Sequence, residues 1–246
     1  MHWGKSLALL FGMLLATSAM SRPPRVPRLS AITQGGPGPP TIVLLHGYGS
    51  SEKDWVPFAK SIQLPGGSRF LFPRGLEIAK RTDGAPAGRA WWHMDLADNL
   101  RDHGLGADLS AEKPAGIEHA AQAVRAFLAR RGNRASGPFI LGGFSQGAMV
   151  AAQVAFQSDE PLRALVLLSG NLVDESSWKA NFAARKGLHV FIAHGREDPT
   201  LSFVVADRMH REMVAAGIEV TWFPFEGGHE IPAAVIAALN KFLSDL

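Results

Sequence analysis

Three residues with complementary proton chemistry follow one another along the chain: Ser145, Asp198 and His229. Ser145 is the centre of Gly143-Phe144-Ser145-Gln146-Gly147, a G-x-S-x-G sequence between the apolar run Phe139 to Leu141 and the helical pattern AMVAAQVAF. On a strand-to-helix turn such a serine is held in a strained conformation, and its flanking glycines let neighbouring elements approach closely. A serine hydroxyl is a poor nucleophile until a base takes its proton, and the base needs an acid to orient it. The stretch Gly227-Gly228-His229-Glu230 offers the base, and His194-Gly195-Arg196-Glu197-Asp198-Pro199 offers the acid. Each stands just beyond an apolar run. The chemistry would be attack on an acyl carbonyl, through an acyl-enzyme.

Stabilising the resulting oxyanion takes two backbone N–H groups aimed at one point. Gln146, directly after the serine, supplies one, and Tyr48, in Leu45-His46-Gly47-Tyr48-Gly49, supplies the other. Gln146 is expected to act through its backbone alone. Three carboxylates compete for the acid role: Asp174, Glu197 and Asp198. Asp198 is favoured, because the His-Gly turn before it directs the loop across the sheet edge and Pro199 limits its freedom. His46 and His194 each precede a glycine at a strand end and are read as structural, hydrogen-bonded to nearby backbone. Trp91 and Trp92 are expected in the wall of a substrate pocket, the other reading being that they pack a loop against the sheet.

The elements needed to hold these residues are legible as short apolar runs alternating with helical patterns. Ile42 to Leu45, Phe139 to Leu141, Ala164 to Leu168, Val190 to Ala193 and Val220 to Phe223 read as strands. Gly116 to Arg130, Gln146 to Phe156, Phe203 to Ala216 and Ile231 to Leu246 read as helices. This order implies an α/β fold, with a mainly parallel central sheet covered by helices on both faces. Residues 73 to 114 are expected to form a long loop region with little regular structure. The domain is placed at residues 41–246, which leaves no room for a large lid and predicts a preference for short or medium acyl chains.

Ahead of it, residues 1–19 read as a signal peptide: Lys5, an apolar stretch from Leu7 to Ala16, then small residues. Residues 20–40, with six prolines, read as a linker. A secreted or periplasmic protein follows, or a cytoplasmic one if the true start is Met20. The formal charge is +3, but residues 1 to 51 carry four basic residues and no acid, so the body is near neutral. A near-neutral body argues against nucleic acid as a partner. The chain has no cysteine, which excludes disulfides, thiolate metal centres and a cysteine nucleophile. No run of apolar residues is long enough for a membrane span, and no H-x-x-x-H or carboxylate cluster suggests a metal.

Four motifs together resemble one family. Leu44 to Gly49 (LLHGYG), Gly142 to Gly147 (GGFSQG), His194 to Leu201 (HGREDPTL) and Gly227 to Pro232 (GGHEIP) occur in family order. They are similar to the phospholipase/carboxylesterase family of α/β-hydrolases, which includes acyl-protein thioesterases and bacterial lysophospholipase-like esterases. Phe72 to Gly75 and Arg89 to Asp95 resemble that family's substrate-side loop, with Trp91-Trp92 bulkier than many members carry. The resemblance implies a Ser145-His229-Asp198 triad and an oxyanion hole at the Tyr48 and Gln146 amides. It further implies a small-molecule ester or thioester substrate and no metal or organic cofactor. Three readings compete: a carboxylic ester hydrolase, a thioesterase or acyltransferase using the same site, and an inactive hydrolase-like binding module.

Overall fold

Apolar residues run almost without interruption through the central strands, so each strand must bury both of its faces. A computed structural model describes residues 26–64, 66–94, 104–131 and 137–246. The expected signal peptide, and the first part of the expected linker, lie outside the described residues. In chain order the strands are β1 (Ala31–Gly35), β2 (Gly38–Leu45), β3 (Ser68–Pro73), β4 (Glu77–Lys80), β5 (Pro86–Ala90), β6 (Phe139–Phe144), β7 (Leu162–Leu168), β8 (His189–Gly195) and β9 (Glu219–Phe225). The described helices are α1 (Trp55–Ala59), α2 (Ile117–Arg131), α3 (Gln146–Phe156), α4 (Glu175–Phe182), α5 (Phe203–Ala215) and α6 (Ala233–Ser244).

Seven strands form one sheet in the order β1-β3-β2-β6-β7-β8-β9. β1 runs antiparallel to β3, and the other neighbours are parallel. Successive side chains point to opposite faces of a strand, and the core divides accordingly. Val43, Leu45, Leu141, Leu165, Leu167 and Ile192 pack with Phe127 of α2, Val150 of α3, Trp178 of α4 and Met209 of α5. Ile42, Leu44, Ile140, Val166 and Phe191 pack on the other face with Trp55 of α1 and Leu239 of α6. Helices therefore cover both faces, as the sequence pattern implies. No described helix is long and apolar enough to cross a membrane.

Two expectations are corrected. Residues 31–40, assigned to the linker, instead contribute β1 and the start of β2. Their glycines and prolines hide the strand signal, yet β1 occupies the sheet edge, where one side of the ladder needs no partner and such residues are tolerated. The region 73–114 is also more regular than expected: β4 and β5 form a hairpin with Glu77 opposite Ala90. Those strands are short and largely exposed, and one of them holds a proline and a glycine, so no sustained apolar alternation announces them. The hairpin is joined to the loop after β2, where Arg89 N–H donates to Ser50 O at 2.7 Å and Gly49 N–H donates to Arg89 O at 2.9 Å.

Parallel strands present their carboxyl ends at one edge of the sheet, where ligands of open α/β sheets bind. The loops after β2, β6, β8 and β9 all emerge there. They carry Tyr48, Ser145, Asp198 and His229 respectively.

Candidate active site

Ser145 follows β6 directly and caps the N-terminus of α3, with φ 54° and ψ −122°. That conformation is costly for a residue with a Cβ and persists only where its surroundings enforce it. Here the Ser145 N–H donates to Leu168 O at 2.9 Å, while its own carbonyl accepts from Ala148 and Met149. Gly147 makes the sharp turn possible, because a Cβ there would stand 2.1 Å from Leu45 O. The Ser145 hydroxyl forms no capping bond to α3. It is half-buried at the positive end of the helix dipole, where negative charge is stabilised.

Asp198 and His229 are brought together from the loops after β8 and β9. His229 Nδ1 lies 2.7 Å from Asp198 Oδ2. The two loops are knitted by Glu197 N–H donating to Gly227 O at 3.0 Å and Arg196 N–H donating to Phe225 O at 2.9 Å. Gly195 permits this approach, since a Cβ there would meet Gly228 O at 2.2 Å. The other Asp198 oxygen, Oδ1, accepts the Thr200 and Leu201 N–H groups at 2.8 and 2.9 Å. Burial works against ionisation of Asp198, yet the hydrogen bond and charge of His229, with the two amides, hold its pKa below the ordinary 3.8. The His229 ring sits 4.8 Å from that of Phe144, the residue before the serine. Ser145 and His229 share no hydrogen bond, a contact that is often loose in unliganded enzymes and tightens with substrate.

The two rival carboxylates lie elsewhere. Asp174 caps α4 in a left-handed conformation and pairs with Lys113 Nζ at 2.9 Å. Glu197 is exposed beside Asp198 and makes no contact with the imidazole.

A Cβ on Gly47 would stand 3.3 Å from Ser145 Cβ, so the loop after β2 passes directly beside the serine. Neither the Tyr48 nor the Gln146 N–H donates to a backbone acceptor among the described residues, which leaves both amides available. The Tyr48 hydroxyl accepts from Lys80 N–H at 3.0 Å and reaches Met94 O at 3.0 Å, latching this loop to the β4–β5 hairpin. His46 is buried, with Nδ1 2.8 Å from Gly47 O and Nε2 accepting from Gly75 N–H at 3.0 Å. Those partners define a neutral tautomer protonated at Nδ1, and burial lowers its pKa. The structural reading of His46 therefore holds.

Trp91 and Trp92, expected in a pocket wall, are 1% and 5% exposed, too little to offer a substrate a surface. Both belong to the core, and Trp91 Nε1 donates to His46 O at 2.9 Å. The same segment is bonded to the Gln146 side chain. Gln146 is 1% exposed. Its Oε1 accepts from Trp91 N–H at 2.8 Å and its Nε2 donates to Trp92 O at 2.9 Å. Gln146 therefore holds this segment with its side chain as well as offering its amide, which the sequence reasoning missed. No local signal announces a contact between residues 55 positions apart.

Comparison with known proteins places this geometry in context. The family model described as Phospholipase/Carboxylesterase matches residues 29–246. Acyl-protein thioesterase 1 of Schizosaccharomyces pombe is 25% identical over 82% of this chain and 88% of its own length. Acyl-protein thioesterase 1 of Candida albicans is 22% identical over 83% of this chain and 91% of its own. Among solved structures, esterase PE8 superimposes with a TM-score of 0.73 at 28% identity, covering 89% of this chain and 99% of that one. Zea mays acyl-protein thioesterase 2 does so with a TM-score of 0.66 at 21% identity over 89% and 98%, a likeness of fold.

Proposed function

The chain belongs to the phospholipase/carboxylesterase family, and from that premise we propose that it is a serine hydrolase cleaving carboxylic esters through an acyl-enzyme. The observation that carries the reading is the 2.7 Å contact between His229 and a fully enclosed Asp198, at the sheet edge where Ser145 is held in its strained turn. In this reading His229 Nε2 takes the Ser145 proton as Oγ attacks the acyl carbonyl. The oxyanion is met by the Tyr48 and Gln146 N–H groups. Protonated His229 then gives its proton to the departing alcohol. Water repeats the sequence on the acyl-enzyme and releases the acid. Asp198 accepts a hydrogen bond from the His229 Nδ1–H throughout, which fixes the tautomer and stabilises the imidazolium.

The same machinery cleaves thioesters, and the acyl-protein thioesterases among its relatives favour that second reading. A matched panel of esters and thioesters of increasing acyl length separates the two by kcat/KM, and the sequence-based expectation is a preference for short or medium chains. Labelling by a fluorophosphonate probe tests the site itself. Ester turnover with covalent capture at Ser145 is expected, and Ser145→Ala should abolish both. Absence of labelling in the folded wild-type protein would point to the inactive binding module.

A further inference from the structure

One amide proposed to meet the oxyanion belongs to a residue with a glycine on either side, Gly47-Tyr48-Gly49. Glycine leaves the backbone freer than any other residue, so the loop by itself does not fix where the Tyr48 N–H points. Position 47 has little choice, because a Cβ there would stand 3.1 Å from Phe144 Cδ1 and 3.3 Å from Ser145 Cβ. The Gly47–Tyr48 peptide is held at its carbonyl, where Gly47 O accepts from His46 Nδ1 at 2.8 Å and from the Ser50 N–H at 3.3 Å. Beyond its nitrogen the chain is held by the β4–β5 hairpin. The Gly49 N–H donates to Arg89 O at 2.9 Å. The Tyr48 hydroxyl accepts from the Lys80 N–H at 3.0 Å and offers its one proton to two carbonyls, Met94 O at 3.0 Å and Lys80 O at 3.1 Å.

We propose that the Tyr48 side chain is a positioning group for its own backbone N–H: the phenol fastens the oxyanion loop to the β4–β5 hairpin, and the hairpin thereby sets where that amide points. This rests on the reading of the Tyr48 N–H as an oxyanion donor. The hairpin is shaped to receive the hydroxyl. Lys80 ends β4 opposite Pro86, which has no N–H to give it, and turns both its N–H and its carbonyl to the phenol. The hairpin is itself tied down, since Arg89 Nε and Nη2 donate to Gly75 O at 3.1 and 2.8 Å and Nη2 also donates to Leu76 O at 2.9 Å. An oxyanion donor works by being aimed before charge develops, so a small loss of aim is felt in the transition state more than in bound substrate. Backbone and side chain of Tyr48 therefore have separable tasks, and deleting one oxygen separates them.

Tyr48→Phe removes the hydroxyl and keeps the ring and the backbone N–H. Hydrogen exchange read by mass spectrometry on peptides covering Lys80 tests the latch, and the Lys80 amide should exchange at least about threefold faster in the variant. Steady-state kinetics test its purpose. For ester hydrolysis kcat should fall about three- to tenfold with KM within about twofold, the worth of one or two hydrogen bonds in competition with water. A trifluoromethyl ketone gives a readout that a purely structural role would not move. Ser145 Oγ adds to its carbonyl carbon, the carbonyl oxygen takes the electron pair as an oxyanion, and His229 takes the serine proton. Its inhibition constant should rise by the same factor as kcat falls. Faster exchange with unchanged kcat and inhibition would reduce the phenol to a support of the hairpin and overturn the proposal. Slower turnover without faster exchange, or a loss seen in KM alone, would overturn it too. Failure of the parent reading looks different: a folded wild-type protein that neither turns over esters nor captures a fluorophosphonate at Ser145 has no oxyanion to stabilise, and the proposal goes with it.

Discussion

At the scale of single residues, neighbouring carboxylates of similar chemistry have separate tasks. Asp198 touches His229, so Asp198→Asn should lower kcat by about three to four orders of magnitude with KM little changed, as loss of the orienting charge does elsewhere. Glu197→Gln and Asp174→Asn should stay within about tenfold in steady-state kinetics. Asp174→Asn should act on stability instead, because it weakens the Lys113 pair and the bond that Asp174 accepts from the Ser177 hydroxyl in the first turn of α4. A crippling Asp174→Asn with a mild Asp198→Asn would reverse the assignment. Gln146 differs from its sequence-based expectation. Gln146→Ala keeps the backbone N–H but strands the buried Trp91 N–H and Trp92 carbonyl, at roughly 1–3 kcal/mol for each group left unsatisfied. The expected result is a clear fall in melting temperature together with a fall in kcat, read by calorimetry and kinetics on one preparation. Unchanged melting would show that the amide clamp contributes nothing.

At the scale of elements, the turn from β6 into α3 is shaped by how closely α3 packs. Every residue of α3 is buried, and small side chains allow it to lie against the sheet. Gly147→Ala would drive a methyl group to 2.1 Å from Leu45 O, backbone that cannot rotate aside. Overpacking of this kind costs about 1–3 kcal/mol and shifts the backbone. Urea unfolding should show that loss, and probe labelling of Ser145 should slow, because the displaced element is the one that carries Ser145. Gly66→Ala is the control: a Cβ there has nothing within 4 Å, so stability should stay within about 0.5 kcal/mol of wild type. Equal behaviour of the two variants would mean that α3 can shift without cost.

At the scale of the whole molecule, His46 and His194 lock the carboxyl edge of the sheet as neutral groups. Burial lowers both pKa values from the ordinary 6.5. Above that value both histidines are neutral, folded or unfolded, and contribute no pH dependence. As the pH falls through it, the unfolded chain takes up protons that the folded chain refuses, so stability declines toward acid pH. Each withheld proton adds a slope of up to about 1.4 kcal/mol per pH unit. Asp198 adds loss at lower pH, because its folded pKa lies below the unfolded one and its stabilisation goes as the carboxylate protonates. Denaturant melts at pH 8, 6.5 and 5.5 (values chosen about the histidine range) should show a flat upper interval and a falling lower one. His46→Asn should flatten the lower interval, and an unchanged slope in that variant would exclude His46 as a source.

Local sequence by itself determined the central strands after residue 41, the bounds of α3, and the placement of Ser145, Asp198 and His229 beyond strand ends in one chain order. It did so because burial on both faces of a parallel sheet demands long apolar runs, and because a tight strand-to-helix turn demands glycine at fixed offsets. Tertiary structure alone decided which carboxylate meets His229, since strand register and loop packing bring Asp198 there and send Asp174 to the cap of α4. It also placed Trp91 and Trp92 in the core, with their backbone bonded to a glutamine 55 positions away from Trp91, and drew residues 31–40 into the sheet. Such contacts join segments far apart along the chain. Local periodicity carries no trace of a partner that only folding supplies.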